Sequence, residues 1–278
     1  MMVSKATRKS KFCTGEVLEI KDDYFEQLLI VARNGLTGEV VGSTPPPDLP
    51  LKYQPRRVRR TRLQSALKAK VPAGVIHLNK RLVSLTNLKD GGVHLEFQDG
   101  TETTADLVVG GDGIRSVVRQ HAFPDHTIKF TGTTIWRVLI PYTKVSHIAN
   151  MGESTTWWHG PTGHFYSSLV DDPSETSAEE QMFEIAARAV VDPATETRKR
   201  FSWGVPATNE RVLSHFTDFD VRVREALEEV PEGQWKEFSV FAGPRLETLT
   251  AWDKIVLIGD ASHPLSGIST YPYSLISI

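Results

Sequence analysis

Two short apolar runs, each ending in glycine and aspartate, constrain this chain more than anything else in it. Leu107-Val108-Val109 runs into Gly110-Gly111-Asp112-Gly113, and Ile255-Val256-Leu257-Ile258 runs into Gly259-Asp260. A short, wholly apolar run is what a parallel strand buried on both faces requires. In an open α/β sheet, ligands bind beyond the carboxyl ends of such strands. Glycine at that edge lets the backbone approach a bulky ligand, and a helix starting there points its free N–H groups at phosphate. Aspartate at the same edge can accept hydrogen bonds from sugar hydroxyls. Taken singly, either segment reads at least as well as a plain turn after a strand. The repetition of one design at two places far apart in the chain is the more specific signal.

The remaining pattern fits a mixed α/β chain. Leu63, Ala66 and Leu67 lie on one face of a short helix that Pro72-Ala73-Gly74 stops. Val75–Leu78 and Leu82–Leu85 read as strands. Val93, Leu95 and Phe97 alternate with polar residues, and Asp99-Gly100 is a hairpin signal. Ile114, Val117 and Val118 mark one face of a helix after Gly113. From Thr127 to about Val170 aromatic and β-branched residues with Gly-Pro turns suggest an antiparallel sheet. Ser177 and Glu180 fit a capping box for a helix reaching Val191. Val223, Leu227 and Val230 define another helix, closed by Pro231. The first fifty residues have no clear period, and Gly42–Asp48, with three prolines, reads as a loop.

Composition excludes more than it identifies. A formal net charge of −2 over 278 residues gives no basic face for nucleic acid. The run of arginines at 56, 57, 59, 60 and 62 is balanced between a solvated surface and a site. With Cys13 as the single cysteine, no internal disulfide and no cysteine metal centre can form. No apolar stretch approaches the ~18 residues that span a bilayer, and no signal peptide is evident. A soluble, cytoplasmic protein with no membrane partner is expected.

The segment 106–119, Asp-Leu-Val-Val-Gly-Gly-Asp-Gly-Ile-Arg-Ser-Val-Val-Arg, resembles the Asp-Gly motif of group A flavoprotein monooxygenases. Lys254 to Gly267, Lys-Ile-Val-Leu-Ile-Gly-Asp-Ala-Ser-His-Pro-Leu-Ser-Gly, resembles their Gly-Asp motif, and the likeness is greatest to fungal salicylate-hydroxylase-like members. Arg59-Arg60-Thr61-Arg62-Leu63 resembles the segment that places a flavin-contacting arginine. The resemblance runs from about Arg56 to Gly267.

That resemblance implies an FAD-dependent, NAD(P)H-using oxidoreductase that hydroxylates a small aromatic or secondary-metabolite substrate with O2. Asp260 and Gly259 would contact the ribityl chain and pyrophosphate of FAD, with Gly267 in the same loop. Asp112 and Gly113 would lie near the pyrophosphate, Arg119 would support that loop, and Arg60 would lie along the flavin. His263 reads as cofactor-proximal, and no residue is assigned as a catalytic base. The implied fold is an incomplete doubly wound FAD-binding domain (1–125 and 245–278) interrupted by an antiparallel β-rich substrate domain (126–244). Trp136-Arg137 and Trp157-Trp158-His159-Gly160-Pro161 would line a substrate pocket there, or equally form sheet core. The family's opening G-x-G-x-x-G turn has no counterpart: Gly35, Gly38 and Gly42 are wrongly spaced. The family's glycine-rich turn after Gly267 is missing too. A chain truncated at both ends is therefore expected, and the rival reading is an inactive flavoprotein remnant or interaction protein.

Overall fold

The computed structural model describes residues 2–4, 25–26, 29–45, 48, 56–57, 60–89, 91–171, 176–194 and 203–264. In chain order the first strands are β1 (Met2–Ser4), β2 (Phe25–Glu26), β3 (Ile30–Asn34), β4 (Val40–Thr44) and β5 (Arg56–Arg57). Then come α1 (Arg60–Ala69), β6 (Leu82–Asn87), β7 (Val93–Phe97), β8 (Glu102–Ala105), β9 (Leu107–Gly110) and α2 (Val117–Ala122). The middle holds β10 (Lys129–Pro141), β11 (Thr155–His159), β12 (Gly163–Leu169), β13 (Met182–Val190) and β14 (Val205–Pro206). It is followed by α3 (Asn209–Leu213), α4 (Val221–Glu228), β15 (Lys236–Ala242), β16 (Thr250–Ala251) and β17 (Ile255–Leu257).

Two compact units result. The first comprises 1–16, 73–131 and 240–278, the second 17–72 and 132–239. This division departs from the sequence-derived one mainly in placing 17–72 with the β-rich middle. The cause is pairing: β3 lies parallel to β11, with Trp157 opposite Ala32, and β4 continues the sheet antiparallel. Nothing in the local sequence of β3 announces a partner so far along the chain.

The first unit is built on a four-stranded sheet in the order β1-β9-β17-β16, with a separate meander β6-β7-β8. Strands β9 and β17 are parallel, with Ile255 opposite Val108 and Leu257 opposite Gly110. Val108, Val118, Ile255, Leu257 and Ala261 join Leu82, Leu85, Val93 and Leu95 in one buried cluster. The expected strand at Val75–Leu78 does not form. Those residues are irregular and exposed, Leu78 at 71%, and Asn79 follows with φ of 60°. A strand needs a neighbour to satisfy its backbone, and among the described residues none pairs with this segment.

The second unit is an eight-stranded sheet in the order β14-β15-β10-β13-β12-β11-β3-β4, antiparallel through β10-β13-β12-β11. One face packs on α3 and α4. Trp136, Ile140, Trp158, Phe165, Phe183 and Ile185 meet Val212, Phe216, Val223 and Leu227 there. Trp136 and Trp158 are thus sheet core. Trp136 Nε1 donates to buried Glu237 at 2.8 Å, and Arg211 Nε donates to the same carboxylate. A buried carboxylate is tolerable only with such partners.

The helix expected from Ser177 to Val191 is instead the strand β13. Ser177 starts only a turn, its carbonyl accepting from the N–H groups of Glu180 and Gln181. Beyond it Phe183, Ile185, Ala187 and Ala189 are buried in alternation with Glu184, Ala186 and Arg188. Alanine favours helix, but ladders to β10 and β12 on both sides outweigh a local preference of tenths of a kcal/mol per residue. The loop expected at Gly42–Asp48 is likewise strand at its start, because Gly42, Ser43 and Thr44 pair with β3.

These assignments have a mutational signature. Phe183→Ala, at a fully buried strand position, should cost about 3–5 kcal/mol. Val190→Ala, at the exposed end of the same strand, should change stability by less than ~0.5 kcal/mol. Urea midpoints of the two variants check this; equal effects would contradict the period-two burial.

Candidate functional site

The parallel pairing of β9 and β17 sets the ends of the two Gly-Asp segments side by side in the first unit. Ile258 N–H donates to the Gly110 carbonyl at 2.9 Å, carrying the ladder to the loop. Gly110 is required by packing: a Cβ there would come within 2.8–2.9 Å of Leu257 and Val118. Gly113 and Gly259 are required by conformation, with φ of 80° and 56°, and the space beside each is open.

Asp112 closes the start of α2. Its Oδ2 accepts from the N–H groups of Val117 and Val118 at 2.8 and 3.2 Å, and its Oδ1 accepts from Ser116 Oγ. Ser116 Oγ in turn accepts from the Arg119 N–H at 2.9 Å. The first three N–H groups of this helix therefore already have acceptors. Asp112 thus occupies the place an anion would take at this terminus.

Arg119 is 2% exposed and joins the two loops. Its Nη1 donates to the carbonyls of Ala261 at 2.8 Å and Asp260 at 3.2 Å, and its Nη2 donates to that of Ile114. Burial pulls its pKa below the ordinary arginine value, opposed by the charge of Asp112. All three contacts are to backbone, so Arg119 positions the loops. Asp260 stands in a 3-10 turn (Gly259–Ala261), exposed, with its carboxylate bonded by no described residue. His263 is exposed beside it, its Nδ1 hydrogen-bonded to Ser262 Oγ. Gly267 lies outside the described residues.

Arg60 falls in the second unit, as the first residue of α1. It lines a cleft of about 610 Å³ on the sheet face away from α3 and α4, with Thr61, Leu139, Glu184, Lys236 and Phe238 among its neighbours. Arg137 and Glu184 form an ion pair within it. Farther along the same face stands an aromatic group that sequence reasoning reached only in part. Trp157 lies 4.8 Å from the Tyr166 ring and 5.0 Å from His164, and stacks on His159 at 6.2 Å. His164 and Arg188 are paired across β12 and β13. Burial, reinforced by the charges of Arg188 and His159, pushes His164 down to about 3. Alternation within each strand would have placed these side chains opposite the core, but only the register aligns them.

Replacing Arg119 by Leu should leave three inward-facing carbonyls without a donor, costing roughly 3 kcal/mol. Amide exchange should rise selectively at 112–118 and 259–262, which hydrogen-exchange mass spectrometry resolves. A second outcome concerns pH. His164 is neutral when folded and has an ordinary pKa of 6.5 when unfolded. Only the unfolded chain gains that proton, so stability should fall as pH drops from about 6.5 toward 3. Denaturation midpoints across that range should fall less steeply for His164→Gln.

No model of a known protein family matches the chain. Individual relatives do. It is 28% identical to 6-hydroxynicotinate 3-monooxygenase of Bordetella bronchiseptica over 213 residues, 75% of this chain and 50% of that protein. It is 34% identical to salicylate hydroxylase asL1 of Sarocladium schorii over 222 residues, 76% of this chain and 44% of that protein. The chain thus spans half or less of the length of these relatives. Among solved structures, 2,6-dihydroxypyridine-3-hydroxylase of Arthrobacter nicotinovorans superposes with a TM-score of 0.73 at 20% identity, over 88% of this chain and 63% of that one. A salicylate hydroxylase substrate complex gives 0.69 at 23% identity, over 89% and 62%. The structural matches carry the fold, and the sequence matches agree with the paired Gly-Asp loops: the homologues of this chain are FAD-dependent monooxygenases, fungal salicylate-hydroxylase-like proteins among them.

Proposed function

We propose that this chain forms part of an FAD-dependent, NAD(P)H-using monooxygenase that hydroxylates a small aromatic compound with O2. The observation that carries the reading is the pair of Gly-Asp loops held at one sheet edge by Arg119. The Asp260 loop suits the cofactor: its carboxylate is exposed without a described partner, and the space beside Gly259 and Gly113 is open to a ligand. Asp260 would hold the ribityl hydroxyls, and the backbone at Gly259 and Gly113 would approach the pyrophosphate. FAD supplies the redox chemistry when bound. The chain's own part is to position the substrate ring on the open sheet face, and to exclude water there.

The closed start of α2 favours a second reading, a flavoprotein remnant that holds FAD weakly. With Val117, Val118 and Arg119 N–H groups already bonded, this helix brings little to a phosphate. A helix-terminus or charge-assisted contact is worth ~1–3 kcal/mol, so lacking this one weakens binding by roughly one to two powers of ten. Flavin absorbance after desalting separates the readings. Stoichiometric FAD, with NADPH oxidation stimulated by a phenolic acid, supports the enzyme. Loss of flavin on desalting supports the remnant. Asp260→Ala should reduce retention about ten-fold or more, the cost of one charge-assisted contact.

A further inference from the structure

Three arginines of the second unit have a carboxylate beside them: Arg137 has Glu184, Arg211 has Glu237 and Arg222 has Asp220. Arg188 has none among the described residues. Its Nε is buried without a hydrogen-bond partner, and its Nη2 reaches only Thr133 Oγ1, at a long 3.4 Å. A buried polar nitrogen left unpaired costs about 1–3 kcal/mol, and more on a charged group. Such a group in a native fold calls for a partner that the protein itself does not supply.

The surroundings define that partner's chemistry. Cross-strand register places His159 opposite His164, and His164 opposite Arg188, in one row over three strands. The groups facing His164 from β11 and β13 are therefore an imidazole and a guanidinium, and among the described residues the charges acting on it are those of these two bases. Trp157 and Tyr166 flank the row with aromatic surface at 4.8 Å from each other. A cation without an anion beside a wall of rings suits a planar, negatively charged ligand.

We propose that Arg188, with His164 and the Trp157–Tyr166 wall, is a specificity-determining anion subsite that takes the carboxylate of an aromatic acid. The guanidinium donates to the carboxylate, His164 contributes its ring N–H, and the ligand's ring lies against Trp157. This deepens the monooxygenase reading and rests on it, since the row shares the open sheet face with the Arg60 cleft. It adds a discrimination that an aromatic pocket alone does not make: acid over neutral isostere.

Salicylate and salicylamide differ mainly in that charge, and both can be titrated into the flavin-free chain. The test reads intrinsic tryptophan fluorescence and the imidazole NMR signals of His164. Salicylate should bind saturably, shift the His164 signals and move its titration upward, with salicylamide about ten-fold or more weaker. Arg188→Gln should make the two ligands equal. Where that variant does not fold, the acid–amide comparison on the unaltered chain decides alone. Equal affinity for acid and amide overturns the subsite, as does binding that leaves His164 unmoved. Because flavin is absent, the result is independent of FAD retention. A chain that prefers the acid yet fails to hold FAD supports the subsite against the cofactor reading. One that holds FAD but shows no preference does the reverse.

Discussion

The parallel ladder between β9 and β17 is the constraint from which the cofactor-like edge of the first unit follows. Two strands from distant parts of the chain pair in register, so the loops that leave them must emerge at the same end. Everything else at that edge elaborates the pairing. Gly110 is small because α2 and Leu257 press on it, and Asp112 caps α2 because the helix begins directly over the strand end. Arg119 reaches back across to the carbonyls of Asp260 and Ala261. The side chain that looks most like a charged ligand-binding group is spent on holding two loops together, whereas Asp260 is left facing outward.

The second unit solves a different problem. A wide sheet must bury one face, and here the burial is complete: tryptophans and phenylalanines of β10 to β13 meet α3 and α4. The opposite face is not apolar enough to require such cover. It carries Arg137, Glu184, Arg188, His164 and Tyr166, side chains that can remain partly solvated. Alternation along each strand means that the same ladders that fix the core also fix the spacing of this polar and aromatic face. A change in core register would move every group on it.

How much of this was legible in the sequence depended on the range of the interactions concerned. The two Gly-Asp segments were readable because a short apolar run, glycine and aspartate form a local pattern. The helices at Leu63, Val117 and Val223 were readable from spacing. The Val75–Leu78 segment was misread because apolar composition alone does not make a strand without a neighbour. Residues 182–190 were misread because Ser177 and Glu180 suggest a helix cap, whereas the strands that flank this segment are remote in sequence. Strands β3 and β4 went unseen for the same reason, and so did their place in the second unit. The row of His159, His164 and Arg188 was beyond sequence reasoning, since it exists only through the register of three strands. Arg60 was singled out as a position, but the cleft around it depends on β10, β13 and β15.

Satisfied and unsatisfied charge separates structural from functional roles more sharply than residue type does. Asp112, Arg119, Glu237 and Asp220 are all charged and largely removed from water, and each has partners matched to its lone pairs or protons. Removing any of them would damage the fold before it revealed anything about a ligand. Asp260 and Arg188 differ in having no such closure. The first is an exposed carboxylate at a strand end with open backbone around it, the second a guanidinium with a buried, unbonded nitrogen. Folding gains nothing from leaving either group so. Their chemistry is complementary to two different molecules: hydroxyl donors for the carboxylate, an anion for the guanidinium. Under the proposed reading, the hydroxyls of a flavin's ribityl chain would meet the first and the carboxylate of an aromatic acid the second.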